Sequence, residues 1–420
     1  MRKLLIAAAT AAALAPFGAN ATVGYFAHGY GMKAKATGGV GIALPQDALA
    51  AASNPAGMAW IGNRADLGLE WFMPDRGAEI AGNIFPGVNG VYDGNGTSSF
   101  LIPEFGYNRM LNANWSLGVA VYGNGGMNTT YETNPFTGFG GTGEAGVDLM
   151  QLFVAPTVAW KSGNHSFGLS LNLAYQRFEA NGIAFMSGFS SNPSAVSNQG
   201  YDDSTGWGVR IGWMGQVSPT VTLGATYQSK TSMSKFDKYS GLFANQGEFD
   251  IPENYGVGIA WKASPALTIA GDLLQIQYGD VAAVGNPVDC LFAGACALGS
   301  TNGPGFGWEN TTVYKLGVTY DLDQNITLRA GYVTLKQPIP ASQTFFNILA
   351  PGVVEDHLTL GATWKMGGNG ELTVMYMHAF EKKVNGSGSI PPGAPPGFGG
   401  GEANLRMSQD SIGAAYGWKY

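Results

Sequence analysis

Apolar residues recur at every second position in stretch after stretch of this chain. Leu67, Leu69, Trp71 and Met73 do so, as do Trp115, Leu117, Val119 and Val121, with Gly, Ser, Ala or a polar residue mostly between them. The pattern returns at Phe167-Leu169-Leu171-Leu173-Tyr175, Trp207-Val209-Ile211-Trp213, Val221-Leu223-Ala225-Tyr227, Tyr255-Val257-Ile259-Trp261 and Leu316-Val318-Tyr320-Leu322. Leu358-Leu360-Ala362-Trp364, Leu372-Val374-Tyr376 and Ile412-Ala414-Tyr416-Trp418-Tyr420 complete it. A period of two places these side chains on one face of a strand. Ahead of the first strand the rule fails: QDALAAASNPAGMAWIGN (46–63) is Ala/Gly-rich and aperiodic.

The connections alternate between short and long. Tight turns fall at LNANW (111–115), KSGNH (161–165), VSPTV (217–221), KASPAL (262–267), DLDQNI (321–326) and MGGNG (366–370), each rich in turn-forming Asn, Gly, Pro or Asp. Loops of roughly twenty to thirty residues are expected at about 75–97, 124–146, 181–204, 231–248, 279–307, 337–356 and 385–404. Seven long loops and six turns join fourteen strands, an even number. Long loops at one end and short turns at the other are the mark of an outer-membrane barrel, and closure leaves no unpaired edge in lipid.

Composition agrees. Charged residues make up 12% of the chain, about half the typical ~25%, whereas glycine (64) and aromatics (12%) are abundant. An ordinary soluble surface needs more charge, and the acidic balance without a basic cluster argues against a nucleic-acid partner. Met1-Arg2-Lys3 followed by LIAAATAAALAPF and an A-x-A site at Ala19-Asn20-Ala21 predicts a signal peptide over 1–21. Its removal loses Arg2 and Lys3 and takes the net charge from −7 to −9. No stretch reaches the ~18 apolar residues of a spanning helix. The predicted fold is therefore all-β, a 14-stranded antiparallel transmembrane barrel over 64–420 in the outer membrane, reached through the Sec route.

Fourteen strands ~4.8 Å apart and tilted ~40° give a radius on the order of 14 Å, too wide for wall side chains to fill. Residues 22–63 are expected to fold into the barrel as a hatch, with Asp47 capping a short helix over Ala48–Ser53 and Asn54-Pro55 ending it. The order of GGVGIALPQDALAAASNPAGMAW (38–60) and fourteen strands resembles the outer-membrane long-chain fatty acid and hydrocarbon transporters of the FadL type, toluene transporters among them. Asn54-Pro55-Ala56 matches the family's NPA motif, and Asp47 sits at its acidic hatch position. Leu117-Gly118 through Tyr122-Gly123, Trp207-Gly208, Ile251-Pro252-Glu253, Gln337-Pro338-Ile339-Pro340 and Tyr376-Met377-His378 also match.

The resemblance implies passive transport of a hydrophobic ligand. It is captured among the extracellular loops, held against the hatch, and released sideways through an inward kink of the third strand. The kink maps to Gly123, followed by Asn124, Gly125 and Gly126; read without the resemblance, these glycines begin a loop. Tyr25, Phe26 and Tyr30 are candidates for a moving N-terminal segment or simple anchors. The family's two carboxylate-facing basic positions fall here at Gly182 and near Pro304, so the ligand is either neutral, such as an alkane or alkylbenzene, or met by another cation. Arg210 and Arg329 face inward by parity, and pairing with Asp272 or Glu70 is the plainer expectation for them.

Cys290 and Cys296 are read as a local disulfide in an exported chain. No cofactor, metal site or catalytic group is expected: His28, His165, His357 and His378 stand near no nucleophile motif, and GPGFG (303–307) lacks the context of a phosphate loop. SIPPGAPPGFGGG (389–401) reads as an extended, flexible surface segment. Expected partners are the hydrophobic ligand, membrane lipid and lipopolysaccharide, with the barrel a monomer. The rival reading is a general or substrate-selective diffusion porin.

Overall fold

The computed structural model describes residues 22–393 and 397–420; the expected signal peptide lies outside them. Among the described residues fourteen long strands form one antiparallel cylinder in chain order. They are β1 (Arg64–Ala81), β2 (Phe100–Met110), β3 (Trp115–Tyr131), β4 (Ala145–Ser162), β5 (His165–Asn181), β6 (Asp202–Gln216) and β7 (Val221–Gln228), then β8 (Asn254–Lys262), β9 (Leu267–Ile276), β10 (Thr311–Asp321), β11 (Ile326–Leu335), β12 (Asp356–Lys365), β13 (Gly370–Val384) and β14 (Glu402–Lys419). Pairing of β14 with β1, from Arg64↔Lys419 to Ala81↔Glu402, closes the ring. No helix among the described residues is long and apolar enough to cross a membrane.

The alternation sorts as expected for lipid outside and a packed lumen inside. Leu67, Phe167 and Val257 are about half exposed (49%, 50% and 55%), whereas residues in the opposite phase of β1 and β5, Glu70, Ser166 and Gln176, are buried. Two strands outrun the predicted ends: β1 continues to Ala81 and β3 to Tyr131. In β3 every residue from Tyr122 to Tyr131 except Gly123 and Thr130 is buried, so both faces are covered there and no alternation marks the strand. The tail loop also differs from its reading as a flexible surface segment. Ile390 and Phe398 are buried, and Phe398 packs on Phe189, Phe292, Phe139 and Phe345 at 5.4–5.8 Å. A disulfide joins Cys290 to Cys296 in the loop between β9 and β10.

From Thr22 to Ala43 all residues but Tyr30 are buried, and they lie against inward-facing positions of the wall. Glycines supply the seats. A β-carbon at Gly212 would fall 1.9 Å from Asn54 Oδ1, and one at Gly168 would fall 2.2 Å from the Pro55 carbonyl carbon. Ion pairs pin the helix α1 (Met32–Lys35): Lys35 Nζ lies 2.5 Å from Glu70 and 3.4 Å from Glu104, and Lys33 bonds Glu371. Arg64 joins the same group through Asp66 at 2.5 Å and Glu371 at 2.6 Å. Removing one member of such a buried pair costs about 3–5 kcal/mol, because its partner's charge is stranded.

Candidate functional site

The wall is not zipped along its whole height. β2 and β3 pair from Met110↔Ser116 to Phe105↔Val121 and stop, while Phe100 to Glu104 of β2 stay paired to β1. β3 itself stays on β4 up to Tyr131↔Ala145, with a bulge at Gly123/Gly125 that leaves Asn124 as an extra residue. A bulge bends a strand and strengthens its twist, which carries β3 off β2. The Gly123-Asn124-Gly125-Gly126 run is therefore strand, not the start of a loop. Higher up, Gly96 donates to Thr130 O and Thr130 donates to Gly94 O, both at 3.0 Å, so the first long loop borders the gap from above.

The N-terminal segment lies on the edge that β2 vacates. Ala27 N–H donates to Asn124 O (3.0 Å), Gly126 N–H donates to Tyr25 O (2.9 Å), and Phe26 bridges Gly125. Gly125 permits this approach, since a β-carbon there would fall 1.8 Å from Tyr25 O. Tyr30 Oη donates to Asn124 Oδ1 (2.9 Å), and Asn124 Nδ2 donates to Gln151 Oε1 (2.9 Å). The extra residue thus presents its amide to the lumen, where both of its ends are used.

Asp47 caps a 3-10 turn over Ala48–Ala52 by accepting from Leu49 N–H at 3.0 Å. Asn54 caps the next turn, Pro55–Ala59, by accepting from Ala56 N–H (3.1 Å), and its Nδ2 donates to Ile42 O (2.7 Å) and Trp213 O (3.0 Å). One amide therefore joins two parts of the N-terminal segment to the wall. Burial, and next the Asp66 carboxylate, push the Asp47 carboxyl up to about 7, against the pull of Arg64 and Lys33. Between about pH 4 and 7 the native group then holds a proton that an unfolded chain releases, so its contribution to stability falls as pH rises through that window. Proteolytic nicking of the purified barrel within residues 44–63 is expected to accelerate at least threefold from pH 5 to pH 8, after correction for the protease's own profile. Asp47→Asn, which keeps an acceptor for Leu49 N–H, should flatten that dependence.

Among the described residues neither arginine forms an ion pair with an acid. Arg210 donates to Ser53 O (3.1 Å) and to Gln228, and Arg329 donates to Gln46 Oε1 (3.1 Å) and Thr363 Oγ1 (2.6 Å). Asp272 instead accepts from Gly41 and Ile42 N–H at 2.8 and 3.1 Å, and Glu70 is taken by Lys35 and Ser411. The N-terminal segment reaches these acids first, and its cations and amides outcompete the wall's arginines.

Among the loops a narrow cavity of about 50 Å³ is lined by Phe136, Val147, Phe178, Ile183, Phe243 and Phe306, together with other uncharged residues. Pro304 lines it, and Gly182 adjoins Ile183. An aromatic path leads downward: Phe178 to Phe243 (4.7 Å), Phe243 to Phe249 (4.9 Å), Phe249 to Tyr25 (6.1 Å) and Tyr25 to Phe26 (5.3 Å). The path ends at the bulge. Sequence reasoning missed Phe243 and Phe249; the density of phenylalanines in nominally polar loops was the available signal.

Comparison with known proteins bears on this architecture. The profile of the outer membrane protein transport proteins (OMPP1/FadL/TodX) matches residues 8–389. No curated protein matches the sequence. The Pseudomonas putida toluene transporter TodX is 17% identical, over 94% of this chain and 99% of that one, with a TM-score of 0.69. A Pseudomonas aeruginosa FadL homologue gives 15%, 94%, 99% and 0.71 for the same quantities, and the Ralstonia pickettii toluene transporter TbuX gives 18%, 94%, 99% and 0.62. With the profile spanning most of the sequence and the barrel shared end to end, the chain belongs to the OMPP1/FadL/TodX family of outer-membrane β-barrels that transport hydrophobic compounds.

Proposed function

We propose that the protein passes small apolar molecules across the outer membrane without energy input, and that they leave through the barrel wall rather than down its axis. Residues 22–63 act as the hatch and 64–420 as the barrel. The ligand enters the apolar loop cavity, follows the aromatic path to Tyr25 and Phe26, and exits at the β2–β3 gap when the N-terminal segment moves. The observation that carries this reading is the ladder that ends at Phe105↔Val121, with residues 25–27 laid on the vacated edge. A general porin needs an open lumen, and the burial of residues 22–43 speaks against one.

Monoaromatic hydrocarbons are the proposed ligand class. The cavity is small and lined by uncharged residues, and toluene transporters are among the similar structures. A carboxylate buried there without a cation pays several kcal/mol in desolvation. A seven-carbon aromatic gains on the order of 5 kcal/mol on burial, before the costs of association, so it binds weakly enough to leave quickly. Deleting residues 22–27 removes the cover of the gap and is expected to raise initial ethylbenzene uptake by cells several-fold. Unchanged uptake would sink the gating role of this segment.

A further inference from the structure

A second space in the lumen, of about 30 Å³, is bordered by Phe26, Ala27 and Tyr30 of the N-terminal segment and by polar residues of the wall. Phe26, Tyr30, Ser53, Arg210, Asn254 and Lys315 are among its walls. Arg210 is buried, its Nη groups are engaged by Ser53 O and Gln228, and its Nε has no hydrogen-bond partner. The next two strands continue the same rung, Arg210↔Gln228↔Asn254, and Gln228 Nε2 and Asn254 Nδ2 are also buried donors without partners. Among the described residues no carboxylate forms an ion pair with Arg210; Asp272 lies across the ladder from Lys315 and accepts from Gly41 and Ile42. The cavity thus holds two cations against one carboxylate.

A buried cation without a counter-charge costs several kcal/mol, and each unsatisfied buried donor adds to that. Water would satisfy the donors but not the charge. An anionic acceptor satisfies both, and the planar guanidinium suits a carboxylate. Phe26 and Tyr30 supply two rings at the cavity wall, which suit a flat body by offset stacking. Both belong to the N-terminal segment, so its movement enlarges the space.

We propose that Arg210 and Asn254, with Gln228 between them on the same rung, donate to the carboxylate of a small aromatic acid whose ring lies against Phe26 and Tyr30. The barrel then passes aryl carboxylates as well as neutral hydrocarbons. This rests on the reading of the barrel as a passage for small apolar molecules. The charged head is met in the lumen, beyond the uncharged loop cavity.

The test is calorimetric binding of 4-ethylbenzoate and of neutral 4-ethyltoluene to the full protein in detergent, with heat-modifiable gel migration as the check of folding. The ratio of the two affinities is expected to fall at least tenfold in Arg210→Gln and to be partly retained in Arg210→Lys. Because Arg210 also holds Ser53, Asn254→Leu provides a second variant, expected to weaken 4-ethylbenzoate at least threefold. An unchanged ratio in both Arg210→Gln and Asn254→Leu overturns the site, as does wild-type protein that fails to bind 4-ethylbenzoate. Decanoate binding tenfold tighter than 4-ethylbenzoate overturns the assignment to a ring-sized acid. Absence of 4-ethyltoluene binding with the carboxylate preference intact counts against the hydrocarbon reading and supports the anion site.

Discussion

Deleting Asn124 is expected to cut the initial rate of ethylbenzene uptake at least tenfold while leaving the barrel folded. Asn124 is the residue by which β3 exceeds β4 at the bulge, where Gly123 opposes Leu152 and Gly125 opposes Gln151. Its removal brings these two pairs into consecutive register, so residues beyond the bulge keep their faces. The strand then loses its bend, and Tyr122 to Met127 can meet Phe100 to Glu104 of β2 and extend the ladder that now ends at Phe105↔Val121. The added pairing also displaces the bonds from Ala27 and to Tyr25 that hold the N-terminal segment on that edge. A tenfold fall corresponds to about 1.4 kcal/mol on the rate-limiting barrier, modest for a route closed by backbone. Folding is checked by heat-modifiable migration and circular dichroism. A wild-type rate in the deletion variant would show that the ligand leaves elsewhere.

Gly212→Val should have the opposite effect and raise the mean conductance of the protein in planar bilayers tenfold or more. The introduced side chain starts 1.9 Å from Asn54 Oδ1, where no small shift relieves the clash. Overpacking of this kind costs about 1–3 kcal/mol, and the Asn54 amide also loses its bonds to Ala56, Ile42 and Trp213, each worth about 1 kcal/mol. Together these weigh against the seated arrangement of residues 54–59 far more than against the wall, whose ladders are untouched. With the segment displaced, a lumen on the order of 14 Å in radius stands open to ions. Gly188→Val is the control, because a β-carbon there meets nothing within 4 Å. Equal conductance in the two variants would mean that the Asn54-Pro55 turn is not what holds the segment in place.

The strands and their facing were legible because lipid on one side and a packed lumen on the other impose a period of two, and Leu67, Leu169 and Val257 fall outside as the alternation requires. That signal fades where both faces are covered, as in the upper half of β3, and it inverts where the end of β1 exposes Asp75 and Glu79 and buries Ala78 and Ile80; the buried Ile390 and Phe398 lie in a loop with no alternation at all. Turn residues are a local property of the backbone and marked the short connections well. Partner choice is not local: parity turned Arg210 and Arg329 inward, but nothing near them in the chain says that Lys35 and the Gly41 and Ile42 amides take the acids first.

The amino-acid sequence by itself determined the number of strands, the face that ten of them turn to lipid, the end that carries the long loops, and the presence of an aperiodic segment before the wall. Each of these follows from spacing along one strand or one turn. The tertiary structure alone decided where the β2–β3 ladder ends, which backbone edge the N-terminal residues occupy, and which buried cations keep no counter-ion. Those outcomes depend on contacts between residues tens to hundreds of positions apart, where groups compete for the same partner and only the assembled cylinder sets their distances.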